Sequence, residues 1–169
     1  MKQKGQGIIE FALIVPLLIA VGVAVVYVGI LFLDYTQYSN AARDAARDIS
    51  VQSEVTNADE TSISAAEFRQ SIVNAINSSG DDHDKIIARY SHPYTNILKA
   101  TWSAKFYKLN SSKVLEEVTG NNAAKNADTV EVIIKVELAD GVKGDERYMD
   151  KWLGNLFQLP PIRYKMILE

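Results

Sequence analysis

One carboxylate, Glu10, stands at the mouth of an uncharged run that extends from Phe11 to Leu33. On insertion scales a charged side chain costs about 2.5–3.5 kcal/mol at the bilayer centre and less near the interface, so an acid in this position calls for a partner. The run holds no cation, and Lys4 belongs to the polar leader that precedes it. A cation can come from another chain, or from a new amino terminus made by proteolysis. A cut between Gly5 and Gln6 would make Glu10 the fifth residue from a fresh α-ammonium. The plain alternative is an acid resting among lipid headgroups at the end of an ordinary anchor.

The other groups capable of chemistry are less organised. Gly80 to Asp84 (GDDHD) gathers three carboxylates and an imidazole, and Asp140 to Glu146 (DGVKGDE) gathers three more acids. Neither has the alternating ligand spacing of a calcium loop, and both read as acidic turns in solvent. His83 and His92 lack the spacing of a zinc site, and there is no cysteine to join them. No glycine-rich phosphate loop and no serine elbow is present, so the expectation is no enzyme, no metal and no cofactor. Asn77 and Asn110 each begin an Asn-Ser-Ser acceptor pattern. With 18 basic and 21 acidic residues the chain has no basic excess, which argues against nucleic acid as a partner.

These residues need elements to hold them. The 23 residues from Phe11 to Leu33 are long enough, at about 1.5 Å per residue, to cross a hydrocarbon core of about 30 Å as one helix. A signal peptide has a shorter apolar core, about 7–15 residues. Lys2 and Lys4 lie on one side and Arg43 and Arg47 on the other, so the basic count is nearly balanced; the short end is placed inside. Pro16 removes a backbone hydrogen bond and predicts a bend. Tyr27, Phe32, Tyr35 and Tyr38 suggest an aromatic belt at the outer surface. The helical pattern does not stop there, because Ala41, Ala42, Ala45 and Ala46 share one face while Arg43, Asp44, Arg47 and Asp48 fill the other. One rod from about Ile8 to Ile49 would be roughly 63 Å long. Asp44 and Arg47 are spaced to compensate the like-charged pairs around them.

The stretches KGQGIIEFALIVPLL and LFLDYTQYSNAARDAARDIS, between Lys4 and Ser50, resemble the TadE-like pilins of the tight-adherence system, within the type IV prepilin class. The resemblance implies cleavage after Gly5 by a membrane prepilin peptidase, with Gln6 as the new terminus where that class usually has Phe. It also implies Glu10 as the assembly residue, followed by Phe11 and the helix proline Pro16. Other pilin subunits, an inner-membrane assembly platform and membrane lipid are the implied partners. The protein would begin as a single-pass protein of the cytoplasmic membrane and end in a surface pilus. A minor-subunit role is implied, and a major pilin of a related filament stays open.

Beyond the rod, Ser50 to Ser62 is polar and reads as a linker. Ser64 and Glu67 form a capping-box pattern ahead of an amphipathic helix expected over 65–78. Alternation predicts strands at Leu98–Phe106, Thr129–Leu138 and Ile162–Leu168, with a short hairpin partner at Val114–Val118. In the middle strand, Thr129, Glu131, Ile133, Lys135 and Glu137 are expected to form a largely wet face. Trp152, Leu153, Leu156 and Phe157 mark a short helix over 148–159, stopped by Pro160 and Pro161. The expected class is α+β: a spine helix, then a small antiparallel sheet packed with short helices, as in type IV pilins. The expected division is leader 1–5, helix 6–50 with 11–33 in the membrane, and an extracytoplasmic head over 51–169. A competing reading is a permanently anchored binding or adaptor domain whose span never leaves the bilayer.

Overall fold

The computed structural model of the chain describes residues 3–51, 55–56, 62–95, 97–139 and 159–168. A helix, α1 (Gln3–Val51), is unbroken for 49 residues, about 73 Å at the helical rise. It passes through Pro16, whose missing N–H leaves the Ala12 carbonyl without its usual helical donor. Two short strands, β1 (Val55–Thr56) and β2 (Ser62–Ile63), pair antiparallel inside the segment expected to be only a linker. Two residues on each side are too few for alternation to announce them.

α2 (Ala65–Asn77) begins with the expected capping box. The Ser64 N–H donates to a Glu67 carboxylate oxygen at 3.1 Å, and the Glu67 N–H donates back to the Ser64 hydroxyl at 3.4 Å. These bonds satisfy backbone donors that the first turn would otherwise leave open. Its buried face carries Arg69, Ile72, Val73 and Ile76.

α3 (Asp81–Tyr90) corrects the reading of GDDHD as a solvent turn. Gly80, at φ 126, turns the chain through a conformation that side chains disfavour. Asp81, Asp82 and Asp84 then fill the first turn, where the helix dipole favours negative charge. His83 faces backwards, its Nδ1–H donating to the Ile76 carbonyl at 2.9 Å and tying α3 to the end of α2.

The sheet runs β4 (Leu115–Val118), β3 (Leu98–Leu109), β5 (Thr129–Leu138), β6 (Ile162–Ile167), with every neighbouring pair antiparallel. A four-residue helix, α4 (Ala123–Asn126), links β4 to β5. The expected hairpin is present, and Asn110 shapes its turn: its side-chain oxygen accepts the N–H of Ser112 and of Val114, both at 2.9 Å. One sheet face carries Trp102, Ala104, Phe106, Val130, Val132, Ile134 and Ile162, all buried. α1 covers it over β5 and β6, and α2 over β3.

The opposite face is drier than its sequence pattern implied. Ile133 is only 8% exposed and Glu131 only 4%. The register places Lys105 and Lys165 on either side of Glu131. Lys165 lies 3.9 Å from its carboxylate and 4.9 Å from the centre of the Tyr107 ring. Long side chains on the flanking strands thus roof over the middle one, through their hydrocarbon stems as much as their charges. Residues 148–158 of the helix expected over 148–159, and the acidic segment 140–146, lie outside the described residues.

Candidate functional site

α1 divides into two halves of unlike surroundings. From Ile8 to Val26 its large apolar side chains point away from the rest of the chain: Ile8 is 71% exposed, Phe11 68% and Leu13 72%. From Leu31 onward one face is buried under the head, with Leu31, Asp34, Tyr38, Ala41, Ala42, Ala45, Ala46 and Ile49 all nearly inaccessible. The alanines let the sheet approach the helix backbone, while Arg43, Asp44 and Arg47 remain on the solvent side.

Gly5, Gln6, Glu10, Phe11 and Pro16 all lie within this one helix. Glu10 is exposed, on the bare half. The 22 residues from Glu10 to Leu31 span about 32 Å, close to the roughly 30 Å of a hydrocarbon core. A head resting on one membrane face therefore places Glu10 at the other. The helix is long and apolar enough to cross a membrane.

The head is held at this height by a group that pattern reading missed. Asp34, the first charged residue after the span, is fully buried. Its carboxylate accepts the N–H of Tyr94 at 2.9 Å and of Thr95 at 3.2 Å, and the Thr95 hydroxyl donates to its other oxygen. The loop that feeds β3 is thereby fastened to the helix. Tyr38 corrects the expected aromatic belt: it is buried in the core, and its hydroxyl donates to the Leu98 carbonyl at 3.4 Å. Burial first, and the Asp34 charge second, raise its pKa.

One turn from the far end of α1, Asp48 receives the Arg89 guanidinium at 3.3 Å and the Tyr90 hydroxyl at 3.1 Å. Burial, followed by the Asp48 charge, pushes Tyr90 up to about 12 against the opposing pull of Arg89. Asp48 is thus engaged by α3 across the head. No ion pair joins Asp44 to Arg47 among the described residues.

The two Asn-Ser-Ser patterns have structural work. The Asn77 amide donates to the Ala104 carbonyl at 2.8 Å and accepts the Ala104 N–H at 2.9 Å. It stands in for a strand neighbour below the point where β4 ends opposite Phe106. Asn110 is occupied by its own turn and by Glu116, to which its amide donates at 2.7 Å.

A family model described as TadE-like protein matches residues 5–47, which takes in Gly5, Gln6, Glu10, Phe11, Pro16 and Asp34. The family is a pilus-related one. No curated protein matches this chain, and no solved structure does.

Proposed function

We propose that this TadE-like chain is a structural pilin subunit, and a minor one, of a tight-adherence pilus, and that its role is assembly and not catalysis. Prepilin peptidase cuts after Gly5, and the subunit waits in the cytoplasmic membrane with its head outside. It then leaves the bilayer as its helix packs among the helices of other subunits on the assembly platform. The cut removes Lys2 and Lys4 and leaves an ammonium on Gln6. Glu10 then lies within reach of such an ammonium on a neighbouring subunit, and the opposite charges align each arrival.

The observation that carries this reading is the bare, uncharged half of α1 with an exposed acid about 32 Å from the head. An uncharged helix surface leaves lipid only for surroundings that are equally apolar, and the same surface on neighbouring subunits supplies them. Coexpression with the cognate peptidase should shorten the chain by the five leader residues, read by intact mass. A protein that keeps Met1 within sheared fibres would overturn the proposal. A chain found only in membranes, never in sheared fibres, would instead be a static anchor with its head as an adaptor.

A further inference from the structure

β4 pairs with β3 only from Phe106 to Leu109, and where it ends the chain turns through Gly120, at φ 105, into α4. Two clefts of about 440 Å³ each open between this turn and α2, and they meet at Gln70, Asn74 and Asn121. Each volume falls within the roughly 300–1,000 Å³ of small-molecule sites. The walls are rich in amides: Gln70, Asn74 and Asn77 on α2, Asn121 and Asn122 on the turn. Some of these serve the fold. Gln70 donates to the Asn74 side-chain oxygen and accepts the Ala124 N–H, both at 3.0 Å, while Asn77 is committed to Ala104. The others do not. Asn122 stands at the start of α4 without a capping bond, Asn121 beside it is equally exposed, and neither side chain has a hydrogen-bond partner among the described residues.

We propose that the joined clefts bind an uncharged saccharide of one or two rings. The walls select against ionic ligands, because the cations Lys105 and Lys125 are balanced by the acids Glu67 and Glu117. Lys105 lies 2.8 Å from Glu117, and a Glu67 oxygen is held by Ser64. A peptide strand finds no edge to extend here, since both backbone groups of Ala104 are already taken by Asn77. What the clefts do offer is side-chain amides, each with a donor and an acceptor at fixed separation, which suit neighbouring hydroxyls that both donate and accept. Val73, Val118 and Ala123 supply apolar contact for the C–H face of a ring. The site is also accessible. α1 lies over β5 and β6, so β4 and its turn are on the side of the sheet away from the spine helix. Phe106 stands eight residues, about 27 Å, along β3 from Leu98, which sits beside Tyr38 at the base of the head. The inference goes beyond the assembly reading and holds for an anchored head as well as for a filament subunit.

The test uses the full chain, isotope-labelled, in micelles of a detergent without a sugar headgroup. Its amide spectra are recorded with lactose, maltose, cellobiose and diacetylchitobiose as uncharged probes, sialyllactose as a charged one and tetra-alanine as a peptide. The expected result is a saturable shift of the Asn74, Asn121 and Asn122 side-chain signals with at least one uncharged probe at millimolar concentration. Asn121→Ala combined with Asn122→Ala should weaken that binding by about tenfold or more, two amide contacts being lost. The unfolding midpoint should not move, because neither side chain supports the fold. Asn74→Leu, at the junction of the two clefts, should weaken binding as well, whereas Lys85→Ala, exposed on α3, should bind as the parent does. No shift with any uncharged probe overturns the proposal, and so does binding that the double variant retains. A response to sialyllactose or tetra-alanine alone overturns the assignment to neutral sugars. Each result is read on the unassembled chain, so failure here leaves the pilin reading standing, and fibres that keep Met1 would leave the cleft standing.

Discussion

Replacing Asp34 by alanine tests whether one buried carboxylate fixes the head to its helix. Three donors converge on it: two backbone N–H groups and the Thr95 hydroxyl. The hydroxyl can turn elsewhere, but the two amides cannot, and a buried donor left unsatisfied costs about 1–3 kcal/mol. The expected loss is therefore about 2–6 kcal/mol, less whatever is regained by no longer burying a charge. For a chain of this size that is on the order of a 10 °C fall in Tm. Asp34→Asn retains one acceptor oxygen, and the Thr95 hydroxyl can accept from the new amide, so it should lose about half as much. The assay is urea unfolding of the full chain in detergent micelles, followed by tryptophan fluorescence, since Trp102 is buried in the core. An alanine variant within about 0.5 kcal/mol of the parent, the range of ordinary surface substitutions, would refute the staple. Equal losses in the alanine and asparagine variants would refute the role given to the remaining oxygen.

Glu10→Ala should insert into the membrane as the parent does but enter fibres poorly, and Glu10→Gln should behave like it; normal piliation in either would remove the charge-pairing argument. Alkaline pH should weaken the head. Tyr90 and Tyr107 are both pushed up to about 12 in the fold, mainly by burial, from an ordinary value near 10. The folded state thus holds these protons more tightly, so stability is intact below about pH 10 and declines as pH rises toward 12. Unfolding midpoints measured across that window should fall less steeply in Tyr90→Phe. Asn77→Ala should cost about 1–3 kcal/mol by stripping Ala104 of both its partners, and mass spectrometry should find Asn77 without a glycan. Ala45→Leu should cost a similar 1–3 kcal/mol by overpacking the contact between helix and sheet, visible as a lower unfolding midpoint.

The parts legible in the sequence were those governed by short-range regularity. The uncharged run, the alanine stripe, the Ser64–Glu67 cap and the alternation in β3, β5 and β6 each depend on residues within a few positions of one another. Glu10 stood out for the same reason, as an acid beside hydrocarbon. What escaped depends on distant parts of the chain. Asp34 looked like the ordinary end of a span because its donors lie 60 and 61 residues further on. Tyr38 looked interfacial until β3 arrived over it. Glu131 and Ile133 looked wet because the side chains that shelter them belong to neighbouring strands, whose order follows no local rule. α3 was missed for a different reason: a glycine and a cluster of aspartates signal a turn, yet the same aspartates also suit a helix start. The assembly role proposed for Glu10 lies beyond a single chain altogether, since its proposed partner arrives with another molecule.

Pro16 acquires a mechanical meaning once α1 is seen to run from its bare apolar half to the far end of the head. In the filament proposed above, pull travels along the consecutive backbone hydrogen bonds of such rods, and at the Ala12 carbonyl one of these is missing. Stretching should begin there, six residues past Glu10, while the alanine-lined upper half stays clamped beneath its sheet. A fibre built this way would lengthen and recoil through its centre and keep its outer surface unchanged.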